Sequence, residues 1–138
     1  AMGGQFISTF AKYENYVNAC PAERDSLIAF IAKNKINGVV FMSGDRHISE
    51  VNKLEIAEGY PLYDITSSPL GAGSSCNEKD IDASTYIKDS RLCGKRNFAQ
   101  IKIAGARGER TLSSTFIDAD GMTYYTFTIS EKDLKFKK

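Results

Sequence analysis

Residues 38–47, GVVFMSGDRH, pass from four consecutive apolar residues into a short polar loop. An apolar run without alternation, bounded by Gly38 and Gly44, predicts a short central strand over Val39–Met42 that is buried on both faces. In α/β sheets, functional sites gather at the carboxyl ends of such strands. The loop after this strand is therefore the strongest candidate for a site, and it holds the only histidine of the chain, His47.

Asp45 and His47 lie two residues apart in this loop, so a carboxylate and an imidazole can face one point beyond the sheet. That pair suits either metal binding or acid-base chemistry. The plainer interpretation is that Asp45 caps the turn, Arg46 pairs with it, and His47 makes an ordinary hydrogen bond. The spacing alone does not separate these interpretations.

The composition is that of an ordinary soluble globular domain. The chain has 138 residues, 42% of them apolar, with 18 Lys and Arg against 17 Asp and Glu. We therefore expect a single domain, residues 1–138, with its own core and no nucleic-acid surface. No stretch approaches the roughly 20 apolar residues of a membrane span.

A helix is predicted to begin at Pro21, with Leu27, Ile28 and Ile31 as its apolar stripe and an end before Asn37-Gly38. We expect this helix to pack on the sheet that contains residues 39–42. Residues 5–20 are expected to be irregular or partly helical, with their aromatic side chains in the core.

Two further strands are predicted, one within residues 48–56 and one over residues 61–68. Glu50, in the first strand, either lies next to His47 and orients its side chain or is a solvated carboxylate. We favour the solvated carboxylate. Asp64, in the second, is disfavoured in a strand. Its presence in the strand indicates a functional site, a solvent-exposed face of the strand, or a hydrogen bond to a neighbouring loop.

Residues 71–95 are too polar to form a packed element beyond a turn near Tyr86. Cys76 and Cys93 bracket much of this loop, so they are either bridged, which implies an oxidising compartment, or two free thiols of a cytosolic protein. Cys20 is left over. We expect the bridged form and an extracytoplasmic location, periplasmic or secreted.

The last third predicts an antiparallel meander, with strands over residues 98–103, 110–118 and 122–129. Asp120-Gly121 forms the second hairpin turn. One helix, a buried strand and this meander together predict an α/β fold of the α+β kind.

Two motifs together resemble a known family. Residues 38–47, followed by YPLYDITSSPL at residues 60–70, are similar to the C-terminal part of the alkaline phosphatase D (PhoD-like) family of metallophosphoesterases. The resemblance implies the C-terminal portion of a calcineurin-like sandwich, in which sheets stack between helices and metals lie at strand ends. It also implies hydrolysis of phosphomonoesters or phosphodiesters.

Within that family pattern, residues 44–47 stand where the superfamily has Gly-His-x-His. The resemblance therefore implies that His47 is a metal ligand, that Asp45 is a ligand or orients the loop, and that Arg46 pairs with the substrate phosphate. These three residues are the expected catalytic set. The expected cofactor is a divalent or trivalent metal ion, Fe, Zn, Mn or Ca.

The earlier motifs of the family, which supply the other ligands, are absent, and one histidine does not build a two-metal site. We therefore expect a C-terminal segment that is inactive alone, whose partners are a phosphoester and the N-terminal part of the same protein. Such a segment is expected to leave part of the Phe6, Phe10 and Tyr13 surface open or covered by a partner. Alternatives are a non-catalytic α/β interaction module and a calcium-stabilised structural domain.

Overall fold

The computed structural model describes residues 1–9, 14–57, 59–74, 81–82 and 84–137. Within these ranges the chain forms two α-helices and six strands, and the strands make two sheets of three strands each. This is a mixed fold of the α+β kind, so the predicted fold class is confirmed. In chain order the elements are α1 (Tyr16–Ala19), α2 (Pro21–Lys33), β1 (Val40–Ser43), β2 (Glu50–Leu54), β3 (Leu62–Thr66), β4 (Asn97–Ala104), β5 (Thr111–Asp118), β6 (Thr123–Ser130) and a closing 3-10 helix (Glu131–Leu134).

The first sheet has the order β1-β3-β2, with β3 parallel to β1 and antiparallel to β2. The prediction that β1 is central and buried on both faces is wrong for the described residues, because β3 is the central strand and Met42 is 37% exposed. Beyond the outer edge of β1, the Met2 N–H donates to the Met42 carbonyl (2.7 Å) and the Gly44 N–H donates to the Gly3 carbonyl (3.2 Å). The described part of the N-terminal segment therefore covers the carboxyl end of this edge.

The second sheet is the predicted meander, β4-β5-β6, with both pairs antiparallel. A register shift between Phe116 and Ile117 accommodates one extra residue before the β5–β6 turn. That turn is the expected one: Gly121 has φ +80° and its N–H donates to the Asp118 carbonyl. Glycine adopts this left-handed backbone without the steric penalty that other residues have.

One core joins the two sheets, the helices and the N-terminal segment. It contains, among others, Phe6, Phe41, Leu62, Ile65, Phe116, Phe127 and Ile129. Phe6 stacks on Phe41 with ring centroids 4.1 Å apart, and Tyr63 contacts Phe127 across the sheets at 5.1 Å.

Helix α2 begins at Pro21 as predicted, because proline fits the first helical turn, where its missing N–H is not needed. It buries Ile31, half-buries Leu27 and Ile28, and leaves Phe30 56% exposed. The chain then turns through Lys35 and Gly38, both at positive φ, and the Gly38 N–H donates to the Leu134 carbonyl. The helix therefore leads directly into β1.

The predicted open aromatic surface is wrong at Phe6, which is 1% exposed. Phe10 and Tyr13 lie outside the described residues. The exposed apolar side chains that flank β1 are instead Met42 and, from β4, Ile103, which is 63% exposed.

Cys93 is disulfide-bonded, as predicted, and Cys20 is a free thiol. Cys76, the expected partner of Cys93, lies outside the described residues. In the part of the chain that the structure describes, no helix has the length and apolar character to cross a membrane.

Candidate functional site

The loop of residues 44–47 leaves the carboxyl end of β1 and lies beside the chain that leaves the carboxyl end of the parallel strand β3. The Ser67 N–H donates to the Ser43 carbonyl (2.9 Å), and the His47 N–H donates to the Ser68 hydroxyl (3.2 Å). His47 therefore lies close to the end of β1, as the sequence predicted, where α/β sheets place their sites.

The backbone of this loop is unusual at two positions. Asp45 has φ +66° and His47 has φ +55°. Non-glycine residues are uncommon in this region, and each costs about 1–2 kcal/mol relative to the right-handed form. Hydrogen bonds hold the conformation: the Arg46 N–H donates to the Gly44 carbonyl (2.8 Å), and the Ser74 hydroxyl donates to the His47 carbonyl (3.1 Å). Clustered backbone strain of this kind is typical of functional loops.

The side chains of Asp45 and His47 are available for a ligand. Asp45 is exposed and His47 is half-buried, and neither the carboxylate nor the imidazole hydrogen-bonds another described residue. Arg46, whose side chain is only 13% exposed, contacts Gln5 and Glu14, which belong to the N-terminal part of the chain. The interpretation in which Asp45 pairs with Arg46 is therefore wrong.

The donor set of the loop suits a metal in kind but not in number. An imidazole and a carboxylate are good ligands for Fe, Zn or Mn. Within the described ranges, however, no three His, Cys, Asp or Glu side chains gather to hold an ion. The loop therefore offers at most two side-chain ligands of a larger site.

Asp64 lies on the central strand β3, opposite Phe41 of β1, and is fully buried. Its carboxylate accepts hydrogen bonds from the Phe6 N–H (2.7 Å), the Ile7 N–H (3.1 Å) and the Ser43 hydroxyl (2.7 Å). Burial is the largest influence on its pKa and raises it, Glu50 raises it further, and these three hydrogen bonds act in the opposite direction. Of the alternatives, the hydrogen bond to a neighbouring segment is the observed one. Asp64 anchors the N-terminal segment to β3.

Glu50 was expected to be solvated, and this prediction is wrong, because Glu50 is only 3% exposed. Its Oε2 lies 3.0 Å from Arg91 Nε, and its Oε1 accepts from Asn52 Nδ2 (2.9 Å). The cause is the polar segment after residue 83, which packs along the outer edge of β2 through an isolated bridge between Asn52 and Tyr86. Glu50 therefore belongs to a buried polar cluster with Gln5 and Arg91.

Sequence reasoning missed Gln5 and Arg91, which are 1% and 8% exposed. Gln5 lies in an irregular segment and Arg91 in a stretch with few apolar neighbours, so neither shows a periodic signal. The only sequence signal for Arg91 was Glu50, an acidic residue in a predicted strand that would need a basic partner if it were buried.

No protein-family model, curated protein or solved structure matches this chain.

Proposed function

We propose that the chain carries a metal-binding loop of a PhoD-like metallophosphoesterase with a calcineurin-like fold. One observation supports this most: the only imidazole of the chain and a carboxylate lie on one strained loop at the carboxyl end of β1, and neither is engaged by another described residue. His47 binds the metal in this proposal, and Asp45 is a second ligand or orients the loop.

A metal held by His47 and Asp45 would supply positive charge for the phosphate oxygens and would make a bound water more acidic. The residues of this chain have simpler tasks. His47 and Asp45 hold the ion, and the half-buried position of His47 limits the water around it. Arg46 carries a charge that suits a phosphate oxygen, but to reach one it has to leave Glu14, whose Oε2 lies 3.6 Å from its Nη1.

Because the described residues group no three ligands, we expect the remaining ligands to come from other parts of the catalytic domain. The chain alone is then a poor catalyst. The disulfide at Cys93 supports an extracytoplasmic location, since disulfides persist mainly in oxidising compartments.

The metal-binding claim is tested on the chain itself, because a single histidine gives one set of imidazole resonances in an NMR spectrum. We expect Mn²⁺ to broaden these resonances by proximity before it broadens those of exposed side chains elsewhere, such as Tyr124. Asp45→Asn is expected to raise the Mn²⁺ concentration required about tenfold or more. The matched control is Asp133→Asn, an exposed carboxylate in the closing 3-10 helix, which is expected to change nothing. Broadening that is no stronger at His47 than at Tyr124 contradicts the proposal.

The reaction is tested in a protein that contains the complete domain, with bis(p-nitrophenyl) phosphate and p-nitrophenyl phosphate as substrates. His47→Ala is expected to lower turnover by 100-fold or more and to reduce bound metal without unfolding the sheet. Full metal content with near-normal turnover in this variant contradicts the proposed role of His47.

The second candidate function, a non-catalytic interaction module, is favoured by a different observation. A cavity of about 410 Å³ opens between β1 and the inner face of the second sheet. Its apolar wall is formed by Val40, Met42, Ile103, Leu112 and Ile129, and charged residues at its border include Arg110, Glu131 and Lys135. This candidate predicts that the imidazole is indifferent to Mn²⁺, so the first experiment separates the two.

A further inference from the structure

Gln5 occupies an unusual place for a glutamine, since it is 1% exposed and uses both ends of its amide. Its Nε2 donates to Glu50 Oε1 (2.7 Å) and to the Thr66 hydroxyl (3.0 Å), and its Oε1 accepts from Arg46 Nε (3.2 Å). Buried amides that are fully hydrogen-bonded fix the groups around them, because each lost partner leaves a buried polar atom unsatisfied.

The backbone of Gln5 is fixed as firmly as its side chain. Its N–H donates to the Glu14 carbonyl (2.9 Å), and its carbonyl accepts from the Tyr16 N–H (2.9 Å). The preceding Gly4 has no room for a side chain, because a Cβ there would overlap the Glu14 carbonyl. Gln5 is therefore a rigid point from which Arg46 is held.

Arg46 is the residue between the two proposed ligands, so whatever restrains its side chain restrains their loop. Gln5 in turn contacts Glu50, which forms an ion pair with Arg91, and both of these residues are buried. A continuous polar connection thus runs from Arg91 through Glu50 and Gln5 to Arg46.

We propose that Gln5 is a positioning residue for the metal-binding loop, an inference that rests on the proposed function for its consequence but not for its geometry. An amide is required here, since the same side chain donates to a carboxylate and accepts from a guanidinium. Glutamate would place a second carboxylate against Glu50, and methionine would supply neither the donor nor the acceptor. Loss of a group that orients a metal ligand typically lowers metal affinity 10- to 100-fold.

The experiment compares Gln5→Met with Gln100→Met, the same substitution at an exposed glutamine on β4. In the unaltered chain and in the control, the Arg46 Nε–H signal is expected to be protected from solvent exchange. In Gln5→Met we expect that protection to be lost, the His47 ring resonances to shift, and the Mn²⁺ concentration for half-broadening to rise 10- to 100-fold. A folded Gln5→Met protein with unchanged Arg46 and His47 signals overturns the proposal.

Arg46→Lys tests the same connection from its other end and leaves the buried cluster of Gln5, Glu50 and Arg91 intact. It keeps the charge but removes the Nε–H that Gln5 accepts, so it is expected to shift the His47 resonances in the same way. An Arg46→Lys protein with unperturbed His47 signals overturns the proposal even where Gln5→Met does not fold. If Mn²⁺ leaves His47 unaffected in the unaltered chain, the metal function fails, and the Arg46 and His47 signals still decide the role of Gln5.

Discussion

At the scale of single residues, the chain places carboxylates in three different settings. Asp64 is enclosed by backbone and hydroxyl donors, Glu50 faces a guanidinium, and Asp45 is open to solvent. A carboxylate among donors holds a structure together, whereas an exposed one on a strained loop is free to bind a ligand. Asp64 and Asp45 therefore have different roles because one is buried and the other is exposed, although both are aspartates.

The raised pKa of Asp64 has a consequence for the pH dependence of stability. A carboxyl group with a folded-state pKa above its unfolded value of about 3.9 contributes stability below that pH and loses the contribution as the pH rises through the folded pKa. Asparagine has nearly the same shape and does not titrate. We therefore expect the free energy of unfolding of the unaltered protein to fall relative to Asp64→Asn as pH increases from about 4.

Urea denaturation at several pH values measures this difference. The matched control is Asp133→Asn, whose carboxyl group is exposed. A difference between the unaltered protein and Asp64→Asn that stays constant with pH would show that burial does not raise the pKa of Asp64.

At the scale of elements, Ile31 is the most deeply buried side chain of helix α2, beside the half-buried Leu27 and Ile28. Ile31 is 3% exposed, whereas its neighbour Phe30 is 56% exposed. Ile31→Ala is expected to destabilise the protein by about 2–5 kcal/mol, because it removes buried methyl groups and leaves a cavity. Phe30→Ala is expected to cost less than about 1 kcal/mol. Chemical denaturation compares the two, and equal losses would mean that the helix packs by another face.

Elements whose signals are local were predictable from the sequence. Pro21 marks the start of α2, and Asp120-Gly121 marks the last hairpin, so the start of α2 and the strands β4, β5 and β6 were anticipated to within one residue. The end of α2 was not, because the helix ends at Lys33 and the prediction placed its end before Asn37-Gly38. The buried cluster of Gln5, Glu50 and Arg91 was not predictable, because Gln5 and Glu50 are 45 positions apart and Gln5 is a polar residue in an irregular segment. Local patterns carry no information about polar side chains that are satisfied over such distances.

The exposure of Met42 on β1 was missed for a related reason. The residues of this strand form an unbroken apolar run, which predicts burial on both faces, but burial of a strand depends on which neighbours are present. In the structure Met42 is 37% exposed at this edge. The position of the candidate loop was still predictable, since the carboxyl end of a strand does not depend on its order in the sheet.

At the scale of the whole molecule, the cavity beside β1 exposes apolar side chains from both sheets. Met42 and Ile103 border it and are 37% and 63% exposed, so together they offer an apolar surface that a dye can reach. Ile103→Lys is expected to reduce binding of the dye ANS severalfold, because it places a charge on the apolar wall. Phe98→Lys, a change at a 44% exposed residue on the opposite face of β4, is expected to have little effect.

Fluorescence titration with ANS measures this, and sedimentation shows whether either variant alters association between copies. Equal dye binding by Ile103→Lys and the unaltered protein would mean that the cavity is not an accessible apolar surface.

The anchoring of the N-terminal segment to β3 also determines when its contacts can form during translation. Gln5 and Thr66 are 61 positions apart, and Phe6 and Asp64 are 58 positions apart. At a translation rate of about 5–20 residues per second, the ribosome needs about 3–12 s between making these partners. During that interval Gln5 and Phe6 have no strand to join. The candidate loop contacts Gln5 through Arg46 and therefore acquires its shape only after β3 has been made. Its own residues precede β3 by about 20 positions in the chain.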